Sequence, residues 1–202
     1  MFFRKTTLMA IAPMLVIAAA IFTGGCGGKY VPAMDIDKTG LTADQKKTLK
    51  ARKMHVPCRV EVQCASVLKC IDDGAFSDDS YSYPLRSILE ASFRNGAHTL
   101  FEPAGAEIID AFTLYITVHE SSLDIDGDDT NYTLQLMVRF DEPGEKKIRS
   151  LAVRKQVQIP FNGGNRIPDA VYVACREAAY DVLERLSRDP KVRKTVARFE
   201  ER

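Results

Sequence analysis

Two stretches of this chain alternate strictly between apolar and polar side chains. In the first, Phe112, Leu114, Ile116 and Val118 alternate with Thr113, Tyr115, Thr117 and His119. In the second, Tyr132, Leu134, Leu136, Val138 and Phe140 alternate with Thr133, Gln135, Met137 and Arg139. A period of two places each set on one side of an extended chain, so both stretches read as half-buried strands. The acidic, glycine-containing segment Asp124–Asp129 turns one into the other as a hairpin. A sheet with one apolar face must bury it against something, and that demand governs the rest of the chain.

Other segments supply the cover and extend the sheet. Val56 to Ile71 reads as one long strand, with Val56, Cys58, Val60, Val62, Cys64, Leu68 and Cys70 on its apolar side. Lys147 to Phe161 reads as another, its face of Leu151, Val153, Val157 and Ile159 interrupted by Lys155, as suits an edge strand guarded by charge. Ile108 continues the apolar side of the first hairpin strand, His98–Phe101 is a short strand, and Asp72–Ser82 is a turn-rich loop. Helical spacing appears twice. Pro84 to Asn95 carries Leu85, Ile88, Leu89 and Phe93 on one stripe, opened by Pro84 and stopped by Asn95-Gly96. Pro168 to Arg188 carries Val171, Cys175, Ala178, Val182 and Leu186, and Asp189-Pro190 ends it. These elements predict an α+β fold: one antiparallel sheet of four to five strands with two helices packed on one face. The domain is expected to span residues 56–190. Residues 191–202 form a charged tail in which Val192, Val196 and Phe199 can line a short amphipathic helix.

The beginning of the chain has a different character. Arg4 and Lys5 precede an apolar run from Leu8 to Phe22, and Thr23, Gly24, Gly25 and Cys26 follow. A basic start, an apolar core and small residues make a secretory signal. The run is too short to span a bilayer comfortably, which takes about 20 residues. The small residues before Cys26 resemble the lipobox of bacterial lipoproteins. That resemblance implies cleavage of residues 1–25, diacylation of Cys26 and attachment to a membrane through it. Residues 26–55 are then a lipidated tether, broken by Gly27, Gly28 and Pro32 and mostly polar from Lys46 to Lys53. The chain from Cys26 onward carries 26 basic and 27 acidic residues, a balance without the electrostatic footprint of a nucleic-acid binder.

Chemistry-bearing patterns are sparse. There is no GxSxG elbow, phosphate-binding glycine loop, HExxH or GxGxxG. No CxxC exists, and His55, His98 and His119 are far apart, so no metal or cofactor is expected. Asp35, Asp37, Thr39 and Gly40 imitate the start of a calcium loop, but its twelfth position is Lys46. The Asp124–Asp129 loop starts similarly and has Gln135 at position twelve. His119 beside Glu120 is the nearest approach to an acid–base pair, and strict alternation would send the two side chains apart. Cys175 lies on the sheet-facing stripe of its helix, so a disulfide to Cys58, Cys64 or Cys70 is geometrically possible in an oxidising compartment, with the pairing unspecified.

The whole order, behind the lipobox, resembles small Gram-negative lipoproteins that assist envelope transport: the lipopolysaccharide-assembly lipoproteins and the auxiliary lipoproteins of ABC-type lipid transporters. The resemblance is carried by Phe93-Arg94-Asn95-Gly96 closing a helix, by Ala111–Val118 opening a long hairpin, and by the closing helix. It implies a non-enzymatic adaptor that docks on a larger envelope protein. Gly27 after the lipidated cysteine implies delivery to the outer membrane, facing the periplasm. The expected partner face is the polar side of the hairpin: Thr113, Tyr115, Thr117, Thr133, Gln135 and Arg139. The same face serves the alternative function, a periplasmic module that binds a small ligand or peptide.

Overall fold

The computed structural model describes residues 29–30, 35–64, 68–71, 80–105, 107–126, 129–144, 146–160 and 167–201. In chain order the elements are β1 (Lys29–Tyr30), α1 (Ile36–Thr39), α2 (Ala43–Lys50), β2 (Pro57–Gln63), β3 (Leu68–Ile71), β4 (Ser80–Tyr83), α3 (Leu85–Leu100) and β5 (Glu102–Pro103). They continue as β6 (Phe112–Asp126), β7 (Asp129–Glu142), β8 (Lys146–Pro160), α4 (Ile167–Arg188) and α5 (Pro190–Glu200).

The fold is α+β, as expected, and its main sheet has five strands in the order β5-β2-β6-β7-β8. The sheet is mixed rather than purely antiparallel. β6, β7 and β8 form an antiparallel meander, whereas β2 runs parallel to both β6 and β5. The reason is the crossover: α3 carries the chain back between β2 and β6, which returns the next strand in the same direction. Phe112, Leu114, Ile116, Tyr132, Leu134, Leu136, Val138 and Phe140 are all buried and join one core with Leu85, Ile88, Leu89 and Phe93 of α3 and Val171, Cys175, Ala178 and Val182 of α4.

Four boundaries differ from the sequence reading. The expected strand Val56–Ile71 is two strands in two sheets: β2 ends at Gln63, and β3 joins β4 and β1 in a separate three-stranded sheet. Ser80–Tyr83 is therefore strand rather than loop. α3 continues through Asn95-Gly96 to Leu100, absorbing most of the expected short strand. Ile108 lies outside β6 and is exposed, its carbonyl accepting a hydrogen bond from Arg59 at 3.0 Å.

A further difference concerns the two ends of the domain. Residues 35–55 are part of the domain, not a tether, because Leu41, Leu49 and Met54 reach the core. Thr42 caps α2 in a reciprocal box with Gln45, satisfying two otherwise orphaned amides. At the other end the charged tail forms the amphipathic helix expected of it, α5, capped by Asp189 and opened by Pro190; with Val192 and Val196 buried it belongs to the domain. Phe199 meets Phe112 edge-on at 5.1 Å between ring centroids, which fastens α5 to the start of β6.

β8 is an edge strand, as expected from Lys155 interrupting its apolar face. Lys155 sits on the helix-facing side of β8, opposite Leu134, and its ammonium lies 3.0 Å from Asp181 of α4. The charge on this edge strand also joins sheet to helix.

Candidate docking face

The side of the sheet away from the core is built by the alternation itself. Antiparallel register sets Thr113 opposite Asp141, Tyr115 opposite Arg139 and Thr117 opposite Met137. Beyond a bulge it sets Glu120 opposite Gln135 and Ser122 opposite Thr133. All six residues expected on the partner face therefore share this side. β2 widens it with Arg59, Glu61 and Gln63, which pair with Thr113, Tyr115 and Thr117, and β8 adds Ser150, Ala152 and Arg154. The face is thus four strands wide.

Its centre is organised by one cation. The Arg139 guanidinium lies 4.5 Å from the centroid of the Tyr115 ring, and its Nε lies 2.9 Å from Oδ2 of Asp141. Asp141 is only 1% exposed, although it stands on the open side of the sheet. Stacking on Tyr115 and pairing with Asp141 fix the guanidinium plane, leaving its other edge toward solvent. Beside it Met137 is 38% exposed, an apolar spot in a polar field. The sequence reading missed Asp141; the clue was an acid two residues after Arg139, on the same face by strand period.

The bulge corrects the expectation for His119 and Glu120. Register jumps between Val118 and Glu120, making His119 an extra residue. Glu120 then falls opposite Gln135 on the open side, and Ser121 and Leu123 take over the inward positions opposite Leu134 and Tyr132. The Ser121 hydroxyl and the Tyr132 phenol are 2.9 Å apart inside. His119 and Glu120 thus lie consecutively without the divergence that unbroken alternation would impose.

The remaining sequence candidates have structural roles or lie elsewhere. Asp35 caps α1 by accepting from the Asp37 amide at 3.1 Å, and Asp129 accepts from Gln158 at 2.7 Å. Among the described residues, no three His, Cys, Asp or Glu side chains group as a metal site. Cys58, Cys64 and Cys175 are free thiols, so the helix-to-strand disulfide to Cys58 or Cys64 is not formed; the Cys70 side chain lies outside the described residues. Burial pushes the Cys58 thiol up to about 12 and raises Cys175 further. Burial also raises Cys64, against the lowering influence of Arg86. Such thiols are poor nucleophiles. Cys26 and residues 1–25 lie outside the described residues, among which no helix is long and apolar enough to cross a membrane.

No family model matches this chain, and no curated protein matches it. Among solved structures it is similar to a Xanthomonas campestris protein of the family DUF330, at 14% identity over 74% of this chain and 87% of that one, with a TM-score of 0.44. It is also similar to a minor lipoprotein from Acinetobacter baumannii, at 14% identity over 65% and 91% of the two chains, TM-score 0.35. An uncharacterized lipoprotein B from Nitrosomonas europaea matches at 11% identity over 67% and 85%, TM-score 0.38. With every TM-score below 0.5, these likenesses assign neither a family nor a function to this chain.

Proposed function

We propose that this protein is a bacterial envelope lipoprotein, anchored through Cys26, that acts without catalysis by docking its open sheet face on an envelope protein. The observation that carries the reading is the order at the start of the chain: Arg4 and Lys5, the apolar run Leu8–Phe22, then Gly24-Gly25-Cys26. Two acyl chains at Cys26 give stable membrane attachment, since each buried methylene contributes about 0.8 kcal/mol. Gly27 favours the outer membrane, with the domain in the periplasm. The docking face suits a protein partner because its polar groups are spread over four strands. The partner belongs to outer-membrane assembly or envelope lipid transport.

Radiolabelled palmitate tests the anchor. Label in the mature protein that disappears in Cys26→Ala, together with release from the envelope, is expected; a labelled Cys26→Ala protein would refute it. A photo-crosslinker at Thr117 tests the face. It should give one discrete envelope adduct that an equivalent probe at exposed Arg193 does not.

A second reading, a small-ligand or peptide module, is favoured by the exposed Met137 beside the Tyr115–Arg139 pair. Native mass spectrometry of the purified protein separates the two: a bound small molecule lost in Tyr115→Ala supports the second.

A further inference from the structure

Overall charge is nearly balanced, yet two helices carry more exposed cations than exposed carboxylates. α2 exposes Lys46, Lys47 and Lys50, and α5 exposes Lys191, Lys194 and Arg198. Among the described residues none of these six makes an ion pair, whereas Arg185 and Arg188 nearby are paired with Asp181 and Glu184. The exposed carboxylates on the same helices and their ends are Asp44, Glu200 and Glu201. The two helices belong to one continuous surface. Just past α2, Arg52 lies 3.4 Å from Ser187 near the end of α4, and the His55 amide donates to Glu200 of α5 at 2.7 Å. Both helices stand on the helical side of the sheet, opposite Arg139 and Tyr115.

The position of the chain entry gives this surface its partner. Asp35 is fixed to the domain, its amide donating to the Tyr172 hydroxyl at 2.8 Å, and Lys38 bridges to Asp169 at 2.7 Å. Earlier still, Lys29 and Tyr30 pair with Tyr81 and Ser82 of β4, so only Gly27 and Gly28 separate Cys26 from the first strand of the fold. β8, with 15 residues, is about 45 Å long, so the domain exceeds its leash. A domain held this closely stays within reach of the lipid surface, and its charge selects the side that faces it.

We infer that the outer surface of α2 and α5 rests on an anionic phospholipid surface and holds the open sheet face away from it. This rests on the lipid-anchor reading. The acyl chains supply attachment; the six cations supply orientation, attracting phosphate headgroups across a Debye length of about 8 Å at physiological salt. The sheet face bearing Tyr115 and Arg139 then points into the aqueous space, where a protein can reach it.

The test uses residues 26–202 with Cys26→Ser, the cleaved chain without acyl groups. It is sedimented with phosphatidylcholine vesicles, with or without phosphatidylglycerol. Binding is expected only to the vesicles containing phosphatidylglycerol, falling as salt rises. Each cation replaced by Gln should weaken it about fivefold. The variant combining Lys46→Gln, Lys47→Gln, Lys50→Gln, Lys191→Gln, Lys194→Gln and Arg198→Gln should not bind. Should that variant fail to melt cooperatively, the three α5 substitutions alone give the same reading with a smaller loss. Equal binding to neutral vesicles, no binding at low salt, or full binding by the variant overturns the inference. So does competition by inorganic phosphate at constant ionic strength, which would indicate a discrete phosphate site. Palmitate labelling at Cys26 is independent: anionic-vesicle binding without palmitate would refute the anchor and leave the surface intact.

Discussion

Leu183 leaves no room for a side chain at Gly96: a Cβ built there would lie 2.5 Å from the Leu183 Cδ1 atom. The glycine marks a close crossing of α3 and α4, which explains why α3 continues past it. Gly96→Ala sets two effects against each other. Helix propensity favours alanine by about 1 kcal/mol. Overpacking costs about 1–3 kcal/mol, and the Leu183 side chain that must shift is fully buried. Crowding should win, lowering stability by about 1 kcal/mol, and Gly96→Val should cost more. In a Leu183→Ala background the same Gly96→Ala change should become stabilising. Urea unfolding of the four proteins checks this; equal effects in both backgrounds would refute it.

Arg139 should matter for stability as well as for docking. Removing it leaves the buried Asp141 carboxylate without the guanidinium 2.9 Å away. Arg139→Ala is expected to cost about 2 kcal/mol, in the range for hydrogen bonds to charged groups. Arg139→Lys should recover only part, because an ammonium cannot stack flat on Tyr115 while reaching Asp141. Thermal melts of the three proteins would show this order; identical melts would contradict it.

Thiol reactivity should separate the cysteines. Cys58 and Cys175 are buried and their thiols are held protonated at neutral pH, so native protein should resist iodoacetamide at both positions. Both should label fully in denaturant. Peptide mapping after native and denatured alkylation provides the measurement. Rapid native labelling of either would mean that the helix–sheet packing around it opens locally.

Acid should weaken the junction between α2 and β5. Lys53 lies 2.8 Å from Glu102 and His55 lies 3.3 Å from it, and the Lys53 contact, chiefly, holds the Glu102 carboxyl below its usual range. A depressed carboxylate contributes fully above its unfolded pKa and loses that contribution as pH falls through the lower folded value. Lys53→Met should move the Glu102 titration back toward the ordinary carboxylate range, read by NMR of its side-chain carboxyl. An unmoved titration would assign the shift to another source.

The polar face was legible because period two holds along any unbroken stretch of strand: Thr113, Tyr115 and Thr117 could only oppose Leu114 and Ile116. The core stripes of α3 and α4 were legible for the same reason, with period 3.6. What period does not encode is where a strand changes sheet. Nothing between Cys64 and Leu68 interrupts the alternation strongly enough to announce that β2 ends and β3 pairs elsewhere. The bulge at His119 was hidden too, since an extra residue reverses the inward set only once the partner strand fixes register.

Local chemistry by itself determined the hairpin, the two main helices and their apolar sides, because each depends on neighbours a few residues apart. Tertiary structure decided the parallel pairing of β2 with β6, the reading of Gly96 as a crossing instead of a stop, and the incorporation of residues 35–55 and α5 into the core. Those outcomes depend on surfaces that meet only after the chain has folded: Leu183 against Gly96, Phe199 against Phe112, Lys155 against Asp181. Sequence spacing states which side of an element is apolar, and only the packed molecule states what that side touches.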